Sequence, residues 1–71
     1  MPAPAKPIGP TDRQMTHLRH AAGLLAGHFR PQAAEHLRSA GDAGAVALAA
    51  LEAGGDTMDV HRLVRAAMGR P

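Results

Sequence analysis

The sequence predicts an all-α fold, a compact bundle of four short helices behind a proline-rich N-terminal tail expected to be disordered. Three observations lead there. Between Thr11 and Phe29 the apolar residues Met15, Leu18, Ala22, Leu25 and Phe29 recur at alternating steps of three and four, which draws one stripe along a helix of about five turns. Pro31, Gly41, the Gly54-Gly55 pair and Gly69 then divide the rest into pieces of helix length. Between Ala43 and Ala53 the chain carries a single charge, Glu52, and is rich in alanine, a strong helix former.

Seventy-one residues make one domain, near the lower limit at which a hydrophobic core holds a chain folded. Residues 1–10 hold four prolines and a glycine, so the expected division is a tail over 1–10 and a helical domain over 11–69. Pro4–Pro7 and Pro7–Pro10 have the spacing that polyproline grooves accept, as most proline-rich tails do.

The first helix is expected to start at Thr11 or Asp12, whose side-chain oxygens can accept from the open amides of the first turn. It should end between Gly27 and Arg30, because Pro31 disfavours helical geometry in the residue before it. The second helix begins with Pro31 in its first position, buries Ala33, Ala34 and Leu37, pairs Glu35 with Arg38 and stops at Gly41. A third helix follows with Asp42 as its N-cap and runs to about Ala53; apolar nearly all round, it is expected in the middle of the bundle. The fourth is capped by Asp56 or Thr57 and buries Val60, Leu63, Val64 and Ala67, with Met68 at the margin.

Composition limits the chemistry. There is no cysteine, so neither a disulfide nor a thiolate metal centre is available. The formal charge of +2 is slight, and the high pI reflects arginine rather than a strong net charge. No apolar run has the form of a signal peptide or a membrane span, so a cytoplasmic protein without membrane contact is expected. Ser39 is the only serine and has no evident base beside it, and Asp56 and Asp59 have the positions of helix-capping carboxylates. The expectation is therefore a protein that is not an enzyme and carries no cofactor.

Three constellations remain. His17, His20 and His28 fall within about 80° of one another on the first helix, away from the apolar stripe. His17 and His20, three residues apart, could in principle share a zinc, nickel or copper ion. His28, however, lies roughly 12 Å further along the axis, and no acidic residue sits beside the pair. A solvated face is expected, adventitious or interfacial metal binding is the alternative, and no metal is assigned. Gly23-Leu24-Leu25-Ala26-Gly27 sets two glycines one turn apart, which lets another helix backbone come close. Either a neighbouring helix of the same fold fills that strip, or a second copy of the chain does.

The third constellation is the junction between the last two helices. Ala50, Gly54, Val60 and Leu63 stand where a crossing residue, a turn glycine and two anchoring residues would stand in a DNA-binding helix-turn-helix, and the segment resembles that motif over about 20 residues. The resemblance implies a nucleic-acid-binding helix with His61, Arg62 and Arg65 on its open side. The chain departs from the pattern at Gly55, and Asp56 and Asp59 would face phosphates. The same Gly-Gly-Asp turn is similar to that of small three-helix ubiquitin-associated modules.

The expected function is a small non-enzymatic protein–protein interaction module, a regulator, adaptor or assembly subunit acting through helix faces. Gly23, Leu24 and Gly27 are the expected contact strip, and Arg62 and Arg65 its polar rim. The expected partner is another protein or a second copy of the chain. Nucleic acid is the alternative, bound through the exposed face of the last helix.

Overall fold

A computed structural model describes residues 9–69 and contains four α-helices in that span: α1 (Asp12–Ala26), α2 (Arg30–Ser39), α3 (Ala45–Glu52) and α4 (Thr57–Ala67). The proline-rich tail lies outside the described residues, apart from Gly9 and Pro10. A 3₁₀ turn, Gly41–Gly44, joins α2 to α3. Each helix packs on the next, and α4 returns to α1, so the four close into a ring around one core.

The core is built from Leu18, Ala21 and Leu25 of α1, Ala33 and Leu37 of α2 with Ala40 at its end, Ala47 and Leu51 of α3, and Val60 and Val64 of α4. In α1 the stripe keeps the predicted register at Leu18 and Leu25. Ala21 is the fully buried alanine, however, and Ala22 lies partly buried at the edge. Phe29 leaves the stripe altogether and is 54% exposed.

The reason is the way α1 stops. The amide of Phe29 donates to the Leu24 carbonyl and that of His28 to Leu25, the paired bonds of a Schellman ending. Such an ending needs a left-handed residue, and here it is His28, at φ 64°, rather than the glycine one place before it. The chain therefore turns away before Phe29 can extend the buried face.

The third predicted helix is shorter than its sequence suggested. Asp42 does not cap it; the Asp42 carboxylate accepts instead from Nε2 of Gln14 at 3.0 Å. Gly44 is buried where the chain crosses α2, and a Cβ there would collide with the Leu37 carbonyl, so the helix starts only beyond it. Nor is α3 the central element. It packs on α2 and α4 while its Ala45, Val46 and Ala49 face out, Val46 being 70% exposed. Eight residues span only about 12 Å, whereas the 15-residue α1 offers its α2 and α4 neighbours the longest surface in the fold.

Two polar side chains tie the ends of the ring. At one pole Gln14 accepts from the Thr11 amide through Oε1, completing a capping box, and donates from Nε2 to the Ala40 carbonyl at 2.9 Å. At the other pole the Arg30 guanidinium donates to the carbonyls of Gly55 (2.8 Å) and Leu51 (3.2 Å) and to Oγ1 of Thr57 (2.7 Å). It thereby satisfies the Gly55 carbonyl, adds a second donor to that of Leu51, and holds the α3–α4 turn against the start of α2. α4 itself follows prediction: Asp56 caps it by accepting from the Met58 amide, Val60 and Val64 are buried, and Leu63, Ala67 and Met68 pack against the core.

Candidate functional site

The seam between α1 and α2 carries an open depression of about 360 Å³ lined by Arg19, His20, Gly23, Leu24 and His36. The antiparallel run of the two helices assembles it. His20 lies eight residues before His28 and His36 eight residues after, so the α1–α2 hairpin folds one beside the other. Leu18 and Leu37, each fully buried, stand next in sequence to His17 and His36 and fix the backbone from which these rings project.

Three imidazoles meet along this seam. Nδ1 of His17 lies 3.1 Å from Nδ1 of His36, a hydrogen bond in which one ring donates and the other accepts. The His20 ring meets His36 edge-on, with centroids 5.0 Å apart, and the His17 and His36 centroids are separated by 5.4 Å. His28, grouped with His17 and His20 in the sequence, belongs instead to the left-handed turn that ends α1. His36 is the member that sequence reasoning missed. The signal was its equal distance from the turn, which becomes visible only once the first two helices are paired as a hairpin.

Gly23 and Leu24 of the expected contact strip both line the depression, whereas Gly27 does not. Among the described residues nothing lies within 4 Å of where a Cβ on Gly23 would stand, so none of the four helices fills the strip at that point. Gly27 is covered by its own neighbour: a Cβ there would come within 2.9 Å of the Phe29 ring. Leu24 is half-buried against the core.

Arg62 and Arg65 stand exposed on α4 and do not line the depression. Arg62 holds the Asp59 carboxylate at 2.9 Å, as the sequence spacing predicts. The predicted Glu35–Arg38 pair gives way to Arg38–Glu52 at 3.0 Å, which links α2 to α3; both partners are more than half exposed, so it contributes little to stability. A second hollow of about 310 Å³ is lined in part by Gln14 and Asp42, whose polar atoms already bond to each other.

Among the described residues the exposed large apolar side chains are Phe29, Val46 and Met58. Phe29 precedes α2 and Met58 opens α4, at the pole that Arg30 ties together, and Val46 is near the opposite one. Among the described residues no helix is long and apolar enough to cross a membrane. Comparison with protein-family models, with curated proteins and with solved structures finds no match to this chain.

Proposed function

We propose that the chain is a non-enzymatic protein–protein interaction module of the cytoplasm, a regulator, adaptor or assembly subunit, whose contact strip is the α1–α2 seam at Gly23 and Leu24. One observation carries this reading: Gly23 sits inside α1, and among the described residues no atom comes within 4 Å of where its Cβ would stand. A glycine within a helix costs about 1 kcal/mol relative to alanine. The fold recovers nothing for that cost at Gly23, whereas a helix laid across the seam would gain close backbone approach there. Leu24 offers the apolar contact, and Arg19, His20 and His36 form a polar border with no carboxylate among the lining residues.

Such a border favours a partner helix of acidic or neutral character over a second copy, which would bring its own Arg19 and histidines to the same strip. The alternative, nucleic-acid binding through α4, would call on Arg62 and Arg65. It has less support, because Asp59 already engages Arg62 and Asp56 sits at the same end of the helix.

The test is affinity capture from the native extract with the unaltered chain, with Gly23→Gln, and with an Arg62→Ala/Arg65→Ala double variant. The expected result is a protein partner that survives nuclease and raised salt, is lost with Gly23→Gln and is kept by the double variant. Capture abolished by nuclease, or unchanged by Gly23→Gln, would overturn the reading.

A further inference from the structure

We infer that His17 and His36 form a two-nitrogen clamp for a divalent cation of the zinc, nickel or copper class, with His20 as the side chain that turns in beside them. The inference is independent of the contact strip: it rests on the separation and placement of ring nitrogens. Two histidines on one tetrahedral zinc, each at 2.0–2.1 Å, stand about 3.3–3.4 Å apart. The Nδ1 atoms of His17 and His36 are 3.1 Å apart, within a few tenths of an ångström of that separation; an ion would sit to one side of the line between them, and each ring turns to bring its lone pair onto it.

The clamp is also well anchored. Its two rings come from different helices, each one residue before a leucine with no exposed surface, so the backbones cannot drift apart without opening the core. Both rings are half-buried and His20 is exposed, with freedom to rotate toward the ion. As the side chains stand, among the described residues no group of three His, Cys, Asp or Glu is arranged to hold a metal ion. The site supplies two protein nitrogens at the outset, with water and then His20 in the remaining positions.

Donor chemistry sets the class of ion. Neutral imidazole suits zinc, copper and nickel, whereas magnesium and calcium require oxygen ligands, and no carboxylate lines the adjoining depression. The proton balance is simple. In the hydrogen-bonded pair one Nδ1 carries a hydrogen; that ring changes tautomer, losing it at Nδ1 and gaining one at Nε2, and both Nδ1 lone pairs then face the ion with no change in ring charge. Arg19, which lines the depression, opposes a cation electrostatically, so imidazole bonding must carry the affinity.

The experiment is calorimetric titration of the untagged full chain with zinc chloride, repeated with His17→Gln, His36→Gln and His61→Gln and with magnesium chloride. One zinc per chain is expected, with a rise in thermal midpoint of roughly 6–11 °C at about tenfold excess over the dissociation constant. Both effects should be lost in His17→Gln and His36→Gln and kept in His61→Gln, and magnesium should give neither. Absence of zinc heat, or equal heat in all variants, would overturn the inference. Should a variant lose its helical circular dichroism, the unaltered chain decides by imidazole nuclear magnetic resonance. Zinc must then shift the His17 and His36 ring signals ahead of those of His28 and His61, and uniform shifts would reject the clamp.

Discussion

The ring of Phe29 lies over Gly27, so that a Cβ built on the glycine would come within 2.9 Å of two ring carbons. The two glycines of the Gly23–Gly27 pair therefore do different work, although one turn of sequence spacing makes them look alike. Gly23 faces open space within α1, and Gly27 caps the helix and accommodates Phe29. Gly23→Ala should stabilise the fold by about 0.5–1 kcal/mol through helix propensity, read as a higher urea midpoint with an unchanged slope. Gly27→Ala should bring no such gain, because the half-exposed ring has to swing aside. Phe29 is the only Phe, Tyr or Trp in the chain, so its proton resonances report directly: they should move in Gly27→Ala and stay in place in Gly23→Ala. A ring that stays in place in both would contradict the contact.

His28 holds the left-handed conformation at the end of α1 with φ 64°, a geometry that crowds the Cβ of any residue but glycine. His28→Gly should raise stability by up to about 1 kcal/mol in urea denaturation, the relief of that crowding outweighing the greater freedom of the unfolded chain. His28→Val should lower it, since a β-branched side chain fits that region worst. Equal stability for the three proteins would show that this turn does not form in solution.

How far the fold could be read in advance depended on whether its signals were local. Leu18 and Leu25, Ala33 and Leu37, Val60 and Val64 follow helical periodicity, and burial confirms them because a stripe needs only its own helix to be defined. The Asp56 cap and the Asp59–Arg62 pair are equally local. What the sequence did not disclose was set by contacts between helices or, at Phe29, by how a helix ends. Asp42 has the composition of a cap, but Gln14, 28 residues earlier in the chain, engages it. Phe29 continues the stripe in sequence, but the turn at His28 rotates it out. At the seam, Gly23, Leu24, His17 and His20 were visible as residues of one helix, whereas His36 joined them only through the α1–α2 hairpin.

Gly44 illustrates the same point with a measurable consequence. From sequence it is a weak link in an alanine-rich helix, so alanine there should help. In the structure it is buried against the backbone of Leu37, where a Cβ would meet the carbonyl rather than a side chain that could move. Gly44→Ala should therefore destabilise by about 1–3 kcal/mol, the usual cost of overpacking, with the sign opposite to that of Gly23→Ala. Paired denaturation curves of the two variants decide the matter, and a stabilised Gly44→Ala protein would mean that the 3₁₀ turn does not pass α2 as closely as described.

Arg30 is a charged residue whose main task in this fold is structural. Its three hydrogen bonds go to the Gly55 carbonyl, to Oγ1 of Thr57 and, as a second donor beside the Gly54 amide, to the Leu51 carbonyl. Gly54, at φ 84°, and Gly55, whose Cβ would press on the Ala50 carbonyl, give that turn its shape. The guanidinium holds it in place from α2. Hydrogen bonds to a charged donor are worth about 1.5–3 kcal/mol, and removing the guanidinium takes away the donor to the part-buried Gly55 carbonyl. Arg30→Met, which keeps the apolar stem, should lower stability by about 2 kcal/mol. Lysine should recover only part of the loss, because a single ammonium cannot span three acceptors in a planar fork. Hydrogen exchange separates this from a general weakening of the core. The Gly54 and Gly55 amides, which donate to Leu51 and Ala50, should exchange faster in Arg30→Met by more than the global loss accounts for, while the amides around Leu18 should follow the global change alone. Uniform acceleration across both regions would reduce Arg30 to an ordinary surface contact.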